Sequence, residues 1–177
     1  MKLRSLGLAL LATLPTLAAA QALPAGAQWR EARWGMTSGE VLRAFPGEAK
    51  LLEKPLALAD GNVVAAGIDR HELGGTAFRV RFVFDPAGKL VLVSLRTDEH
   101  DYAKAERLGP VESALVARLG PATERSAVDD FVDQRQVTWR TPSGRVDLKY
   151  IPGVIVVLHA APGQQPPKAQ PAPQVER

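Results

Sequence analysis

Residues 78–96 read FRVRFVFDPAGKLVLVSLR, two apolar segments that flank a short turn. In the first segment, aromatic and aliphatic side chains alternate with Arg79 and Arg81, the two-residue period of a strand with one buried face. The DPAG sequence at 85–88 is typical of a type I turn, because proline presets the first central φ and glycine ends the turn. The segment from Lys89 to Thr97 is apolar on both faces, which predicts a central strand.

A short helix is predicted upstream of this hairpin, beginning within the WGMTSGEV sequence of residues 34–41. Thr37 or Ser38 can accept a hydrogen bond from a free amide of the first turn, and Glu40 suits the positive end of the helix dipole. The Pro-Gly pair at 46–47 ends the helix. Residues 48–66 are predicted to form a loop, and an alternating strand follows at 68–73.

The second half of the chain repeats this order of elements. A helical region is predicted from Asp101, with an interruption at Gly109-Pro110 and an end at Gly120-Pro121. Three predicted strands follow, at 131–141, 144–151 and 154–160.

One turn of the second half matches the DPAG turn. In the TPSG sequence at 141–144, Pro142 and Gly144 each lie 56 positions after Pro86 and Gly88, which favours an internal duplication. Links this short join antiparallel strands. We therefore predict one α+β domain over 28–161, with helices packed on one face of an antiparallel sheet and the other face partly open. The predicted plan is a tandem helix-plus-three-strand repeat, with halves at about 34–97 and 101–161.

The first 22 residues have the pattern of a secretory signal peptide. Lys2 and Arg4 precede a mostly apolar stretch at 6–20, and small residues around its end suit cleavage. Pro15 interrupts the stretch, which falls short of the ~20 continuous apolar residues of a membrane span. Because no cysteine is present to carry a lipid, we expect a periplasmic protein with neither a transmembrane nor a lipid anchor.

The segment 162–177, PGQQPPKAQPAPQVER, is rich in proline and glutamine and is predicted to be a disordered tail. The formal net charge is +3, but the leader and this tail contribute to it, which leaves the domain near neutral. A near-neutral domain argues against a nucleic-acid partner. The lack of cysteine excludes disulfides, thiolate metal sites and a cysteine nucleophile.

No combination of residues in the sequence predicts catalysis or a cofactor. The DEHD run at 98–101 is the densest group of potential metal ligands, but adjacent side chains point in different directions, and acidic residues before a helix suit its free amides. His71 and His159 lack the spacing of zinc ligands, and no Gly-x-Ser-x-Gly sequence is present. We predict no enzyme, no metal and no cofactor; a metal-binding protein or an unrecognised enzyme is an alternative.

The WGMT-x-x-EV sequence at 34–41 resembles the helix opening of small exported bacterial α+β proteins. This group includes the SmpA/OmlA outer-membrane assembly lipoproteins and the β-lactamase-inhibitor-protein-like domains. The resemblance implies that Gly35, Met36 and Thr37 cap and seat the first helix, ahead of a three- or four-stranded antiparallel sheet. It also implies a non-enzymatic envelope protein that binds other proteins, or alternatively an inhibitor of a secreted hydrolase.

Five side chains are candidates for contact with a partner, namely Trp29, Arg79, Arg81, Trp139 and Lys149. The cationic residues alternate with apolar ones and are expected on the open face of the sheet. Tryptophans are frequent interface anchors, although in a small sheet they are more often buried in the core. We therefore expect a non-catalytic periplasmic binding or envelope-assembly protein that contacts another envelope protein, with its oligomeric state left open.

Overall fold

The computed structural model describes residues 28–98, 105–129, 134–151 and 153–164. Its strands form one eight-stranded antiparallel sheet, so the predicted α+β class with an antiparallel sheet is confirmed. The elements in chain order are α1 Ser38–Ala44, β1 Ala49–Ala57, β2 Val63–Leu73, β3 Thr76–Phe84, β4 Leu90–Arg96, a 3₁₀ helix Ala105–Arg107, α2 Leu108–Leu119, β5 Glu124–Asp129, β6 Gln134–Thr141, β7 Gly144–Ile151 and β8 Val154–Ala160.

Two predicted segments lie largely outside the residues that the structure describes. The predicted signal peptide at 1–22 lies outside the described residues, and of the predicted tail only 162–164 are described. No helix in the described ranges combines the length and the apolar character that a membrane span requires.

The two most apolar strands meet at the centre of the sheet. The sheet order is β1-β2-β3-β4-β8-β7-β6-β5, and the central ladder pairs β4 with β8, from Leu92 opposite Ala160 to Arg96 opposite Val156. β4 carries buried apolar side chains on both faces, with Val93 and Leu95 on the helix side and Leu92 on the opposite side. The prediction of a central strand within the segment from Lys89 to Thr97 is confirmed.

Four strands follow each helix, where the sequence predicts three. β1 lies within the segment 48–66 that was expected to be a loop, and β5 precedes the first strand predicted for the second half. Both strands lie at the edges of the sheet. The pairing of β1 with β2 shifts between Leu51 and Leu56, and Pro55 lies in the shift, so β1 has no regular alternation of apolar side chains. The helix-plus-three-strand plan is corrected to four strands in each half.

The two matching turns occupy different places in the sheet. The DPAG turn joins β3 to β4 next to the centre, whereas the TPSG turn joins β6 to β7, one strand further out. The offset of 56 therefore aligns turns that are not equivalent in the sheet order. Proline and glycine favour a tight turn in any hairpin. The similarity of the two turns therefore follows from turn geometry and does not require a common position in the sheet.

The first helix begins as predicted. Thr37 is its N-cap in extended conformation, and the Glu40 amide donates to Thr37 Oγ1 at 3.4 Å. The Thr37 amide donates in turn to Glu40 Oε2 at 2.7 Å, which holds the pKa of Glu40 below its usual value. This reciprocal pair satisfies two backbone amides that a helix end otherwise leaves free.

The second helix corrects the predicted interruption. α2 runs through Gly109 and Pro110 without a break, because Pro110 lies in the first turn, where a backbone N–H has no partner within the helix. The helix ends at Gly120, whose φ of 81° lies in the left-handed region that glycine adopts without strain. Asp101, where the helical region was expected to start, lies outside the described residues.

The main core lies between the helices and one face of the sheet. Val41 and Phe45 at the first helix and Val111 and Leu115 of the second are buried in one cluster with alternate side chains of the strands, including Phe82, Val93, Leu148 and Val157. The intervening residues of the strands, whose side chains point to the other face of the sheet, form a second, smaller cluster. We call the face that carries this smaller cluster the open face.

Candidate functional site

Three rows of side chains cross the open face, as the strand register defines them. The first row contains Arg79, Arg96, Val156 and Lys149; the second contains Arg81, Ser94, Leu158, Asp147 and Thr138; the third contains Val83, Leu92, Ala160, Arg145 and Arg140. Cationic side chains occur in every row, and apolar side chains fill the middle of the second and third rows. The open face is therefore amphipathic rather than uniformly polar.

A hollow of about 470 Å³ lies in the β1 to β4 half of this face. Its apolar lining consists of Leu56, Leu58, Val64, Val83, Leu92 and Leu158. Arg79, Arg81 and Arg96 line the same hollow on its polar side. Leu56 stands on the rim, where 60% of its surface is exposed. The volume lies within the roughly 300–1,000 Å³ range of small-molecule sites.

Arg81 is the cation most closely integrated into the wall of the hollow. Its Nη1 donates to the Val80 carbonyl oxygen at 2.9 Å, and its side chain lies over Gly67 of β2, where a Cβ atom would collide with it. Burial, with a further contribution from the neighbouring Arg79, lowers the pKa of Arg81, and the negative charge of Asp69 opposes this shift. Among the described residues, no carboxylate lies within ion-pair distance of this guanidinium.

Arg79 has an acidic partner at the mouth of the hollow. Its Nη2 donates to Asp98 Oδ2 at 2.8 Å, and both side chains are about half exposed. Such an exposed pair contributes little to stability, about 0–1 kcal/mol. Arg79 thus remains accessible to an anion that competes with Asp98.

A buried carboxylate lies in the β6 to β7 half of the open face. Asp147 is fully buried, and its Oδ1 accepts hydrogen bonds from Thr138 Oγ1 at 2.7 Å, Arg145 Nε at 2.8 Å and Gln136 Nε2 at 3.2 Å. Its Oδ2 has no hydrogen-bond partner in the described part of the chain. The strand register places Asp147 on the open face, but the side chains around it exclude water.

The two tryptophans among the candidate contact residues are core residues. Trp29 and Trp139 are each 1% exposed, and the Trp139 Nε1 donates to the Gly120 carbonyl oxygen at 3.0 Å. Their rings lie in the helix-side cluster, away from the open face, so the expectation of partner contact at these positions is corrected. Arg79, Arg81 and Lys149 lie on the open face, and their contact with a partner stays a prediction.

The histidine-containing candidates give no metal site in the described ranges. Of the DEHD run, only Asp98 is described; Glu99, His100 and Asp101 lie outside the described residues. Within the ranges that the structure covers, no group of three or more His, Asp or Glu side chains is arranged to hold a metal ion.

His159 is a buried histidine on the helix side of β8. It lies beside a small cavity of about 40 Å³ that Trp34 and Gly144 also line, and its Nδ1 has no partner in the residues described. Burial, with the nearby charges of Arg118 and His71, lowers its pKa to about 3. The imidazole is therefore neutral in the folded protein at neutral pH.

This neutral His159 predicts a loss of stability in mild acid. Below the ordinary histidine pKa of 6.5, the unfolded chain takes up a proton that the folded protein does not bind until about pH 3. We expect the free energy of unfolding to fall by about 1–2 kcal/mol between pH 6.5 and pH 5 through this group alone. Urea unfolding of His159→Leu at both pH values is expected to show a smaller difference, and an unchanged difference would contradict the assignment.

Residues that the sequence did not single out are also part of the site. Arg96, Leu92 and Leu158 come from the two central strands, and Leu56 and Leu58 come from β1 and the turn after it. The alternation of Arg145, Asp147 and Lys149 was a usable signal for the polar half, since all three fall on one face of a strand. No comparable pattern points to Leu56 and Leu58.

The described part of the chain is thus a small α+β domain, in which the helices cover one face of the sheet and the other face is accessible. No known protein family matches the sequence, and no curated protein matches it. A solved structure that it resembles is a DUF4309 family protein (YjgB) from Bacillus subtilis, with 18% identity over 71% of this chain and 78% of the other, and a TM-score of 0.34. A likeness at this level carries no argument about function.

Proposed function

We propose that this chain is a non-catalytic binding protein of the periplasm that recognises another envelope protein through the open face of its sheet. The observation that carries the proposal is the composition of that face, where Arg79, Arg81 and Lys149 border apolar side chains. Arginine beside apolar surface is typical of interface hot spots, because its planar fork binds carboxylates and its stem packs on apolar groups. The partner surface is accordingly acidic with an apolar centre.

The periplasmic location is part of the proposal. Its support is the charged start and apolar stretch at residues 1–22 together with the lack of cysteine, as described above. We also propose that the two halves of the domain descend from one duplicated unit. Its support is the sheet order, in which each half contributes one helix and four successive strands on either side of the β4 to β8 ladder.

A site-specific cross-linking experiment tests the protein partner. A photoreactive amino acid is placed at Ser94, in the second row of the open face opposite Arg81, in cells that produce the full chain. We expect an adduct with one envelope protein, and a roughly tenfold loss of that adduct when Arg79→Glu and Lys149→Glu are combined. Arg43→Glu is the matched control, because Arg43 is an exposed cation on the first helix, on the covered side of the sheet.

The outcomes separate the proposal from its competitors. An adduct that is equally strong in the double variant and in the Arg43→Glu control would show that the open face does not select the partner. An adduct with a secreted hydrolase whose activity falls on binding would replace an assembly role with an inhibitory one. Thermal unfolding of each variant checks that the sheet is intact.

A further inference from the structure

The hollow in the open face has separate apolar and cationic ends. Val83 lies on the third row with Leu92, and Arg79 lies on the first row opposite Arg96. Four positions along one strand separate Val83 from Arg79, roughly 13 Å at the rise of a β-strand. Arg81 lies between them on the same face, about 7 Å from Val83 by the same rise, and is the arginine of β3 nearest the apolar end. A ligand that fills the hollow lengthwise therefore meets apolar side chains at one end and guanidinium groups at the other.

The apolar end of the hollow consists of side chains that pack on one another. Val64, Val83, Leu92 and Leu158 are each less than a tenth exposed, and they form a cluster of their own on the open face. Leu56 projects beside them with 60% of its surface in water. Binding of an apolar group that covers both this large aliphatic side chain and the apolar floor is favourable, because it removes apolar surface from water.

The cationic side of the hollow offers an anion-binding group in Arg81. Within the part of the chain that the structure describes, Arg81 makes one hydrogen bond, to the Val80 carbonyl oxygen, and a guanidinium has five N–H donors. No carboxylate within the described ranges forms an ion pair with it. Because the side chain is held over Gly67 by the sheet itself, little conformational entropy is lost when an anion binds.

We propose that the hollow binds a single-chain amphiphile with a carboxylate head, such as a free fatty acid, with its head at Arg81 and its chain over Val83 and Leu92. The guanidinium fork pairs two N–H donors with the two carboxylate oxygens. The acyl chain covers the apolar floor and the Leu56 side chain. This site goes beyond the partner surface proposed above: the two share Arg79 and Arg81, but Lys149 and the polar half of the face take no part in the hollow.

Isothermal titration calorimetry of the purified full chain with dodecanoate, kept below its micelle concentration, tests the proposal. We expect a dissociation constant on the order of tens of micromolar. Dodecanol, which has the chain without the charge, and acetate, which has the charge without the chain, are expected to bind at least roughly tenfold more weakly. Dodecanoate binding no stronger than dodecanol binding would overturn the role of the cationic end.

Two variants and a control locate the ligand. Arg81→Gln is expected to weaken dodecanoate binding roughly tenfold and Leu56→Ser roughly threefold, with both proteins folded because each side chain is at least partly exposed. Arg140→Gln is the matched control, an exposed cation on the same face but outside the hollow, and should leave binding unchanged. Equal effects of Arg81→Gln and Arg140→Gln would mean non-specific attraction and would overturn the site.

Further readouts distinguish other outcomes. Methyl NMR shifts on dodecanoate addition are expected at Val83, Leu92 and Leu158, and shifts confined to the helix-side core would contradict the location. Binding to phosphatidylglycerol vesicles without binding of monomeric dodecanoate would replace the single-chain ligand with a membrane surface. Because none of these measurements requires a partner protein, their failure leaves the cross-linking proposal intact, and the reverse also holds.

Discussion

Replacement of Trp29 by alanine is expected to lower the free energy of unfolding by about 3–5 kcal/mol. The indole is 1% exposed, and its ring centroid lies 5.6 Å from that of Phe45 and 5.9 Å from that of Phe82. The ring of His71 meets it edge-on at 5.2 Å. Trp29 thus fills the space between the first helix and the sheet, and its removal leaves a cavity that the rigid strands close only in part.

Chemical unfolding in urea measures this effect, with Trp34→Ala as the control. Trp34 is only partly buried, and its main specific contact is the hydrogen bond from Nε1 to the Ser143 carbonyl oxygen at 2.6 Å. We expect a loss of about 1–2 kcal/mol for this variant, the usual range for one hydrogen bond and modest packing. Similar losses for the two tryptophans would contradict the role given to Trp29.

Replacement of Asp147 by alanine is expected to lower the free energy of unfolding by about 3–5 kcal/mol, the second large effect. The carboxylate is fully buried, and Oδ1 accepts from Thr138 and Arg145 at 2.7 and 2.8 Å. Its removal leaves the Arg145 guanidinium, 31% exposed, without its acidic partner, and the Thr138 hydroxyl buried without an acceptor. Both losses have the same sign, because the Thr138 hydroxyl stays buried without an acceptor and the partly exposed Arg145 guanidinium loses its charged acceptor.

The matched control for Asp147 is Glu124→Ala. Glu124 pairs with Arg140 on the same face at 3.4 Å, but both side chains are more than half exposed, so the loss should stay within about 0.5 kcal/mol. The double variant Asp147→Leu with Arg145→Met is expected to recover much of the stability, since apolar groups of similar volume can replace a buried ion pair. If the double variant were no more stable than Asp147→Ala, the loss of stability on removal of Asp147 would have to come from packing and not from unpaired polar groups.

Much of the inner sheet was predictable because its strands obey simple alternation. Arg79 and Arg81 alternate with core residues, which placed both on the open face, and the turn at 85–88 located the hairpin. The edge strands escaped prediction because an edge strand needs no continuous apolar face. β1 contains a register shift at Pro55, and β5 begins with polar residues that are exposed in the structure.

The candidate site was predictable only in part. Lys149 and the two arginines follow from the two-residue period, but the hollow depends on Leu56 and Leu58, which enter the site through an irregular edge strand and the turn after it. The burial of Trp29 was equally hidden, since this residue lies outside every described helix and strand and forms only an isolated bridge with Ala32. Local sequence patterns carry no information on how such segments cross the domain.

The central ladder has a consequence for synthesis on the ribosome. Arg96 pairs with Val156, about sixty positions later, so β4 leaves the ribosome well before its partner β8 exists. Until then β4 is an unpaired edge strand with one wholly apolar face, the kind of edge that recruits other nascent chains. A growing chain of this protein is therefore most vulnerable to aggregation in that interval, and we expect a chaperone that shields extended apolar segments to raise its yield more than one that acts on the completed domain.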